Sequence, residues 1–116
     1  MKKTSILKEK SFAFAVRIVK LSEFIQEKKI FVLNNQILRS GTAIGALIYE
    51  AEYAQSNADF INKFSIALKE TNETMYWLSL LEATNYIDTN LYESLNVDCN
   101  ELISMLVATI KTLKNK

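Results

Sequence analysis

Proline is absent from this 116-residue chain, and glycine occurs only twice, at Gly41 and Gly45. Sheet proteins turn about every eight to twelve residues and draw on those two residues to do so. Their scarcity favours a few long helices joined by short polar turns. Histidine is also missing, and Cys99 is the sole cysteine. One cysteine forms no internal disulfide, so nothing demands an oxidising compartment. Without histidine, neither Cys99 nor any serine has the usual base for nucleophilic catalysis. Long apolar runs are lacking as well. Charge-free stretches such as 40–49 and 102–110 fall well short of the ~20 residues of a membrane span. Lys8, Glu9 and Lys10 interrupt the apolar residues near the N-terminus, so no signal peptide is visible and the cytoplasm is the expected location.

Net charge is +1, from 14 basic and 13 acidic residues, so the overall balance gives nucleic-acid binding no support and leaves only a local patch. Apolar residues make up 49% and charged residues 23%, values that suit a folded domain rather than a disordered one. The length suits one domain that needs neither metal nor disulfide to hold its core.

Four segments carry apolar residues at alternating spacings of three and four, the stripe of a helix packed in a bundle. The first holds Leu7, Ser11, Phe14, Ile18, Leu21 and Ile25, and the second Leu33, Ile37, Ser40, Ile44, Leu47 and Ala51. The third holds Phe60, Phe64, Ala67, Thr71, Met75 and Leu78, and the fourth runs from Leu91 through Leu95, Cys99, Leu102, Leu106 and Ile110 to Leu113. Helices are expected at about 5–28, 32–54, 57–84 and 89–114. Ser56 with Asp59 reads as a capping box before the third helix. Asp88, or Thr89 beside it, suits the cap of the fourth. Short connections make sequential neighbours antiparallel, so the fold class is all-α: a single antiparallel up-down-up-down four-helix bundle.

Phe12, Ala15, Val16 and Val19 widen the first stripe beyond what one neighbouring helix would cover. Tyr49, Tyr53, Phe31, Tyr76, Trp77 and Tyr86 add an aromatic surplus, which suggests a subunit interface. Inside the second helix, Gly41 and Gly45 each cost ~1 kcal/mol relative to alanine. Close approach of another helix, from the same chain or from a partner subunit, is the expected reason.

Folding the second and third helices back around Gln55 and Ser56 sets Arg39 beside Asn72 and Glu73, and Gly41 beside Glu70. Arg39 paired with Glu70 or Glu73, and Gln36 one turn away, is therefore an expected register device. Other constellations carry less. Glu70-x-x-Glu73 with Glu50 and Glu52 lacks the histidines of a carboxylate-bridged metal site, so no metal or other cofactor is expected. Cys99 lies on an apolar stripe, where a thiol is inert. No enzymatic activity is expected. The sequon at Asn72 falls mid-helix and is a chance match. The start of the first helix and the end of the fourth share a pole, which gathers Lys2, Lys3, Lys8, Lys10, Lys111, Lys114 and Lys116, diluted by Glu9. Such lysines either keep the ends soluble or contact phosphates or an acidic partner.

The stretch Gln36 to Ala46 (QILRSGTAIGA), then Glu50-Ala51, then Ala54 to Lys63 (AQSNADFINK), resembles one bacterial family. So do Ile66 to Thr71 (IALKET), Glu73-Thr74 and Tyr76-Trp77-Leu78. They are similar to the four helix bundle proteins first described from intervening sequences in 23S ribosomal RNA genes and formerly labelled S23 ribosomal protein. The accessory protein of diversity-generating retroelements is similar. The resemblance is close over 36–81 and rests on pattern in the flanking helices. It implies a four-helix fold, a homo-oligomer (often a pentameric ring) and no known enzymatic activity. In the retroelement branch it also implies contact with a reverse transcriptase and with RNA or DNA. Leu47 stands where relatives usually carry asparagine, and Met75 where close relatives carry arginine. Both departures remove polarity. The function expected from these readings is a non-catalytic homo-oligomeric module that binds nucleic acid or a nucleoprotein; the alternative is a protein-binding scaffold that touches no nucleic acid.

Overall fold

A computed structural model describes residues 2–115, with side chains from residue 4 onward. Among these residues the chain forms four helices and no strand: α1 (Lys2–Gln26), α2 (Phe31–Ala51), α3 (Asn57–Ala83) and α4 (Thr89–Lys114). A 27-residue helix such as α3 rises about 40 Å, so the 47 Å long axis is a helix with its turns, and the 22 × 19 Å cross-section is two helices by two. Consecutive helices pack along their length. α1 and α4 close the square along a thinner seam.

Each helix begins and ends for a local reason. Ser56 Oγ accepts the Asp59 N–H at 3.0 Å, capping α3. The Asp59 carboxylate reaches back to the Gln55 N–H at 3.3 Å, one residue before the position a full capping box uses. Asp88, not Thr89, caps α4 by accepting the Leu91 N–H at 2.8 Å. α3 ends in a paired closure: the N–H of Tyr86 donates to the Leu81 carbonyl at 2.9 Å and that of Asn85 to Glu82 at 3.0 Å. Asn85 takes φ 66° there, the left-handed position that asparagine tolerates at a helix C-terminus.

α2 stops at Ala51 rather than at the expected 54. Its last bonds tighten to three-residue closures, Tyr53 N–H to the Glu50 carbonyl and Ala54 N–H to that of Ala51. The end of α1 shortens in the same way, where the Lys28 N–H donates to the Ile25 carbonyl.

The stripes meet in one core. All six first-helix positions, from Leu7 to Ile25, are buried, as are Ile37, Ile44, Phe64, Ala67, Leu78, Leu95, Cys99, Leu102 and Leu106. Leu33, Leu47, Phe60, Met75 and Leu91 pack against it half-buried. Buried hydroxyls find partners close by. Thr71 and Thr109 donate to carbonyls one turn back, and Ser22 Oγ donates to Asn34 Oδ1 at 2.7 Å between α1 and α2.

The two glycines face α1 of the same chain. A Cβ on Gly41 would lie 2.8 Å from both Cγ1 and Cγ2 of the fully buried Ile18. A Cβ on Gly45 would lie 3.3 Å from the backbone carbonyl oxygen of Ser11. Sequence pairing had set Gly41 beside Glu70. The space over Gly41 belongs to Ile18 instead, because successive helix positions turn by about 100° and a neighbour of Arg39's face is not on that face. Ile18 is β-branched and held to one favoured rotamer, so it cannot swing aside. Gly41→Ala is therefore expected to destabilise the fold by about 1 kcal/mol net, overpacking outweighing the gain in helix propensity. A lower midpoint in urea denaturation with an unchanged slope checks this; a midpoint at or above that of the parent chain refutes it.

Candidate functional site

The outer side of the α1–α2 pair is an apolar surface that the core leaves uncovered. On α1, Phe12 is 71% exposed, and Val16 and Val19, one and two turns on, are open as well. These are the residues that broaden the α1 stripe in sequence, and the chain's own helices cover only its inner half. On α2 the facing positions are small: Thr42, Gly45 and Ala46, followed by the half-exposed Tyr49. Large side chains on one helix beside small ones on the next leave a groove of about 950 Å³, lined by Phe12, Ala15, Gly45, Ala46 and Tyr49, with Ser5, Lys8, Glu9, Thr42 and Glu50. Tyr53 stands just past its end, 71% exposed, its ring 5.7 Å from that of Tyr49. The other surplus aromatics divide. Trp77 and Tyr86 pack half-buried on the core, whereas Tyr76 and Phe31 remain exposed.

The lysine-rich pole is partly neutralised. Lys8 Nζ lies 2.8 Å from Glu52 Oε1 and 5.3 Å from the centroid of the Tyr49 ring. The hydrogen bond to Glu52 holds its ammonium above the ordinary lysine range. Lys10 meets Glu101 of α4 at 3.1 Å. Lys111 and Lys114 are exposed in the last turn of α4, with no ion pair among the described residues. Cations there also suit the helix dipole. The side chains of Lys2, Lys3 and Lys116 lie outside the described residues.

Arg39 gathers the polar residues between α2 and α3. Its Nη1 donates to Glu70 Oε2 at 2.7 Å, its Nη2 to Glu73 Oε2, and its Nε to Gln36 Oε1 at 3.2 Å. Glu73 Oε2 also accepts the indole N–H of Trp77 at 3.1 Å. Next to this pair and buried, the Thr74 hydroxyl donates to Ser40 Oγ at 3.0 Å. Arg39 therefore meets both acids, and Gly41 and Gly45 take no part, since they face α1. The cluster fixes how α2 slides along α3.

Across the α1–α4 seam, Arg17 donates to Asp98 Oδ2 at 2.7 Å and to Ser94 Oγ at 3.0 Å. Sequence reading missed this fork. The pairing register of the first and last helices could have disclosed it, but their long separation in sequence hid that register.

Cys99 is buried, and burial pushes its thiol up to about 12, with the adjacent Asp98 carboxylate adding to the rise. Such a thiol supplies almost no thiolate near neutrality. Among the described residues no group of histidine, cysteine and acidic side chains could hold a metal ion. Nor is any helix long and apolar enough to cross a membrane.

These features define a class: an antiparallel four-helix bundle with an exposed apolar face on its α1–α2 side. The sequence model of the 23S rRNA-intervening sequence protein family matches residues 3–108. The chain belongs to that family, and the match reaches well beyond the 36–81 stretch that carries the sequence resemblance. A similar solved structure is the 1.70 Å crystal structure of a protein of unknown function from the S23 ribosomal protein family of Bacteroides thetaiotaomicron. It is 58% identical, covers 94% of this chain and 98% of its own, and superposes with a TM-score of 0.91. Comparison with curated proteins finds no match.

Two outcomes follow from the buried groups. Arg39→Ala leaves Glu70, 7% exposed, without its counter-charge. The expected loss is about 1–2 kcal/mol, moderated because the guanidinium itself is half in water. Adding Glu70→Gln should recover part of it, since a neutral amide needs no cation; a double variant no more stable than Arg39→Ala would contradict the pairing role. Cys99 should resist alkylation at pH 8 in the folded chain and react once urea unfolds it. Raising the pH to about 9.5 should bring labelling of the unfolded chain close to its plateau while the folded chain stays far slower, because the unfolded thiol is then mostly ionised and the buried one still almost wholly protonated. Equal labelling rates in both states would show the thiol to be accessible.

Proposed function

We propose that this chain is a non-catalytic helical module that assembles with copies of itself through the outer α1–α2 face, and that the assembly binds a partner. The observation that carries the reading is the groove in which Phe12 and Ala15 line up beside the small residues Thr42, Gly45 and Ala46, with Val16 and Val19 of the same helix also exposed. A contiguous apolar groove of this kind is costly to leave in water and marks an interaction site on a folded domain. Facing small residues allow a second helix to approach closely. The missing histidine and the buried, strongly protonated Cys99 support a role without catalysis. A free cysteine also suits a reducing compartment such as the cytoplasm.

Light scattering at micromolar concentration should give a mass several times that of one chain, with the five-fold ring of the resemblance as the expected stoichiometry. The double variant Phe12→Glu, Val16→Glu should fall to single chains while its helical circular dichroism stays unchanged, because both side chains already lie outside the core. A single-chain mass for the parent protein would sink the proposal.

Two readings of the partner follow from different observations. The family's name, which refers to intervening sequences of 23S rRNA, and Lys111 and Lys114, which have no ion pair among the described residues, favour nucleic acid or a nucleoprotein such as a reverse transcriptase. Repeating that pole in an oligomer would multiply the charge presented to phosphates. Against this, Lys8 and Lys10 are already engaged by Glu52 and Glu101, which favours a scaffold that binds protein alone. Fluorescence-anisotropy titration with labelled RNA and DNA separates the two. The first predicts binding that weakens steeply with salt and is lost in Lys111→Gln, Lys114→Gln; the second predicts none even at low salt.

A further inference from the structure

We draw no further inference here: the strongest candidate, the apolar groove at the open end of the α1–α4 seam floored by Leu21, Phe24, Leu91 and Leu95, has nothing in the structure to show what covers it.

Discussion

The contact of Ile18 with Gly41, and of the Ser11 main chain with Gly45, governs how the two N-terminal helices lie. A Cβ at Gly41 would run into Ile18, and one at Gly45 would press on the Ser11 main chain. Close apposition turns the inner stripe of α1 fully into the core, where Leu7, Phe14, Ile18 and Ile25 are 0–1% exposed. The same rotation carries Phe12, Val16 and Val19 outward, because residues on the far flank of a helix cannot also face its neighbour. The tight α1–α2 contact and the open apolar face are thus two results of one constraint. Two glycines inside a helix are unfavourable for an isolated segment, and here the cost is offset by packing.

The α2–α3 pair is aligned differently, by polar groups. Apolar ridges alone would tolerate a slide of one turn, since a leucine or isoleucine meets a similar neighbour there. A guanidinium fork does not, because its donors must meet two carboxylate oxygens at hydrogen-bond distance. Arg39 with Glu70 and Glu73, together with Ser40 on Thr74 below, therefore selects one register. Ser22 on Asn34 does the same near the other end of the α1–α2 contact. Arg17 with Asp98 and Ser94, and Lys10 with Glu101, span the α1–α4 seam, where packing is thinnest. Exposed pairs of that sort contribute little each and serve orientation more than stability.

The family match gives the chain a lineage of uncharacterised function, and its 58% identical relative is itself described as a protein of unknown function. The physical case for a role therefore rests on surfaces. The outer α1–α2 face leaves apolar side chains in water. Among the described residues one pole carries Lys111 and Lys114 with no ion pair, along with two lysines engaged by carboxylates. The proposed self-association would cover the first and bring copies of the second together.

Much of the architecture was legible in the sequence because it follows from periodicity. An apolar residue every three to four positions must hide one flank of a helix, and absent prolines leave few places to turn. Ser56 and Asp88 marked helix starts because their side chains act on N–H groups three residues away, a local effect. Arg39 could be set against Glu73 by simple folding back, since only one short turn separates α2 from α3. What local spacing could not determine was rotation about each helix axis. Whether Gly41 faced α3 or α1, whether Phe12 lay in the core or outside it, and which carboxylates met Lys8, Lys10 and Arg17 depended on how four helices share one core. Those choices are made by volume and shape in three dimensions, where Ile18 fits only over a missing Cβ, and a one-dimensional pattern carries no record of them.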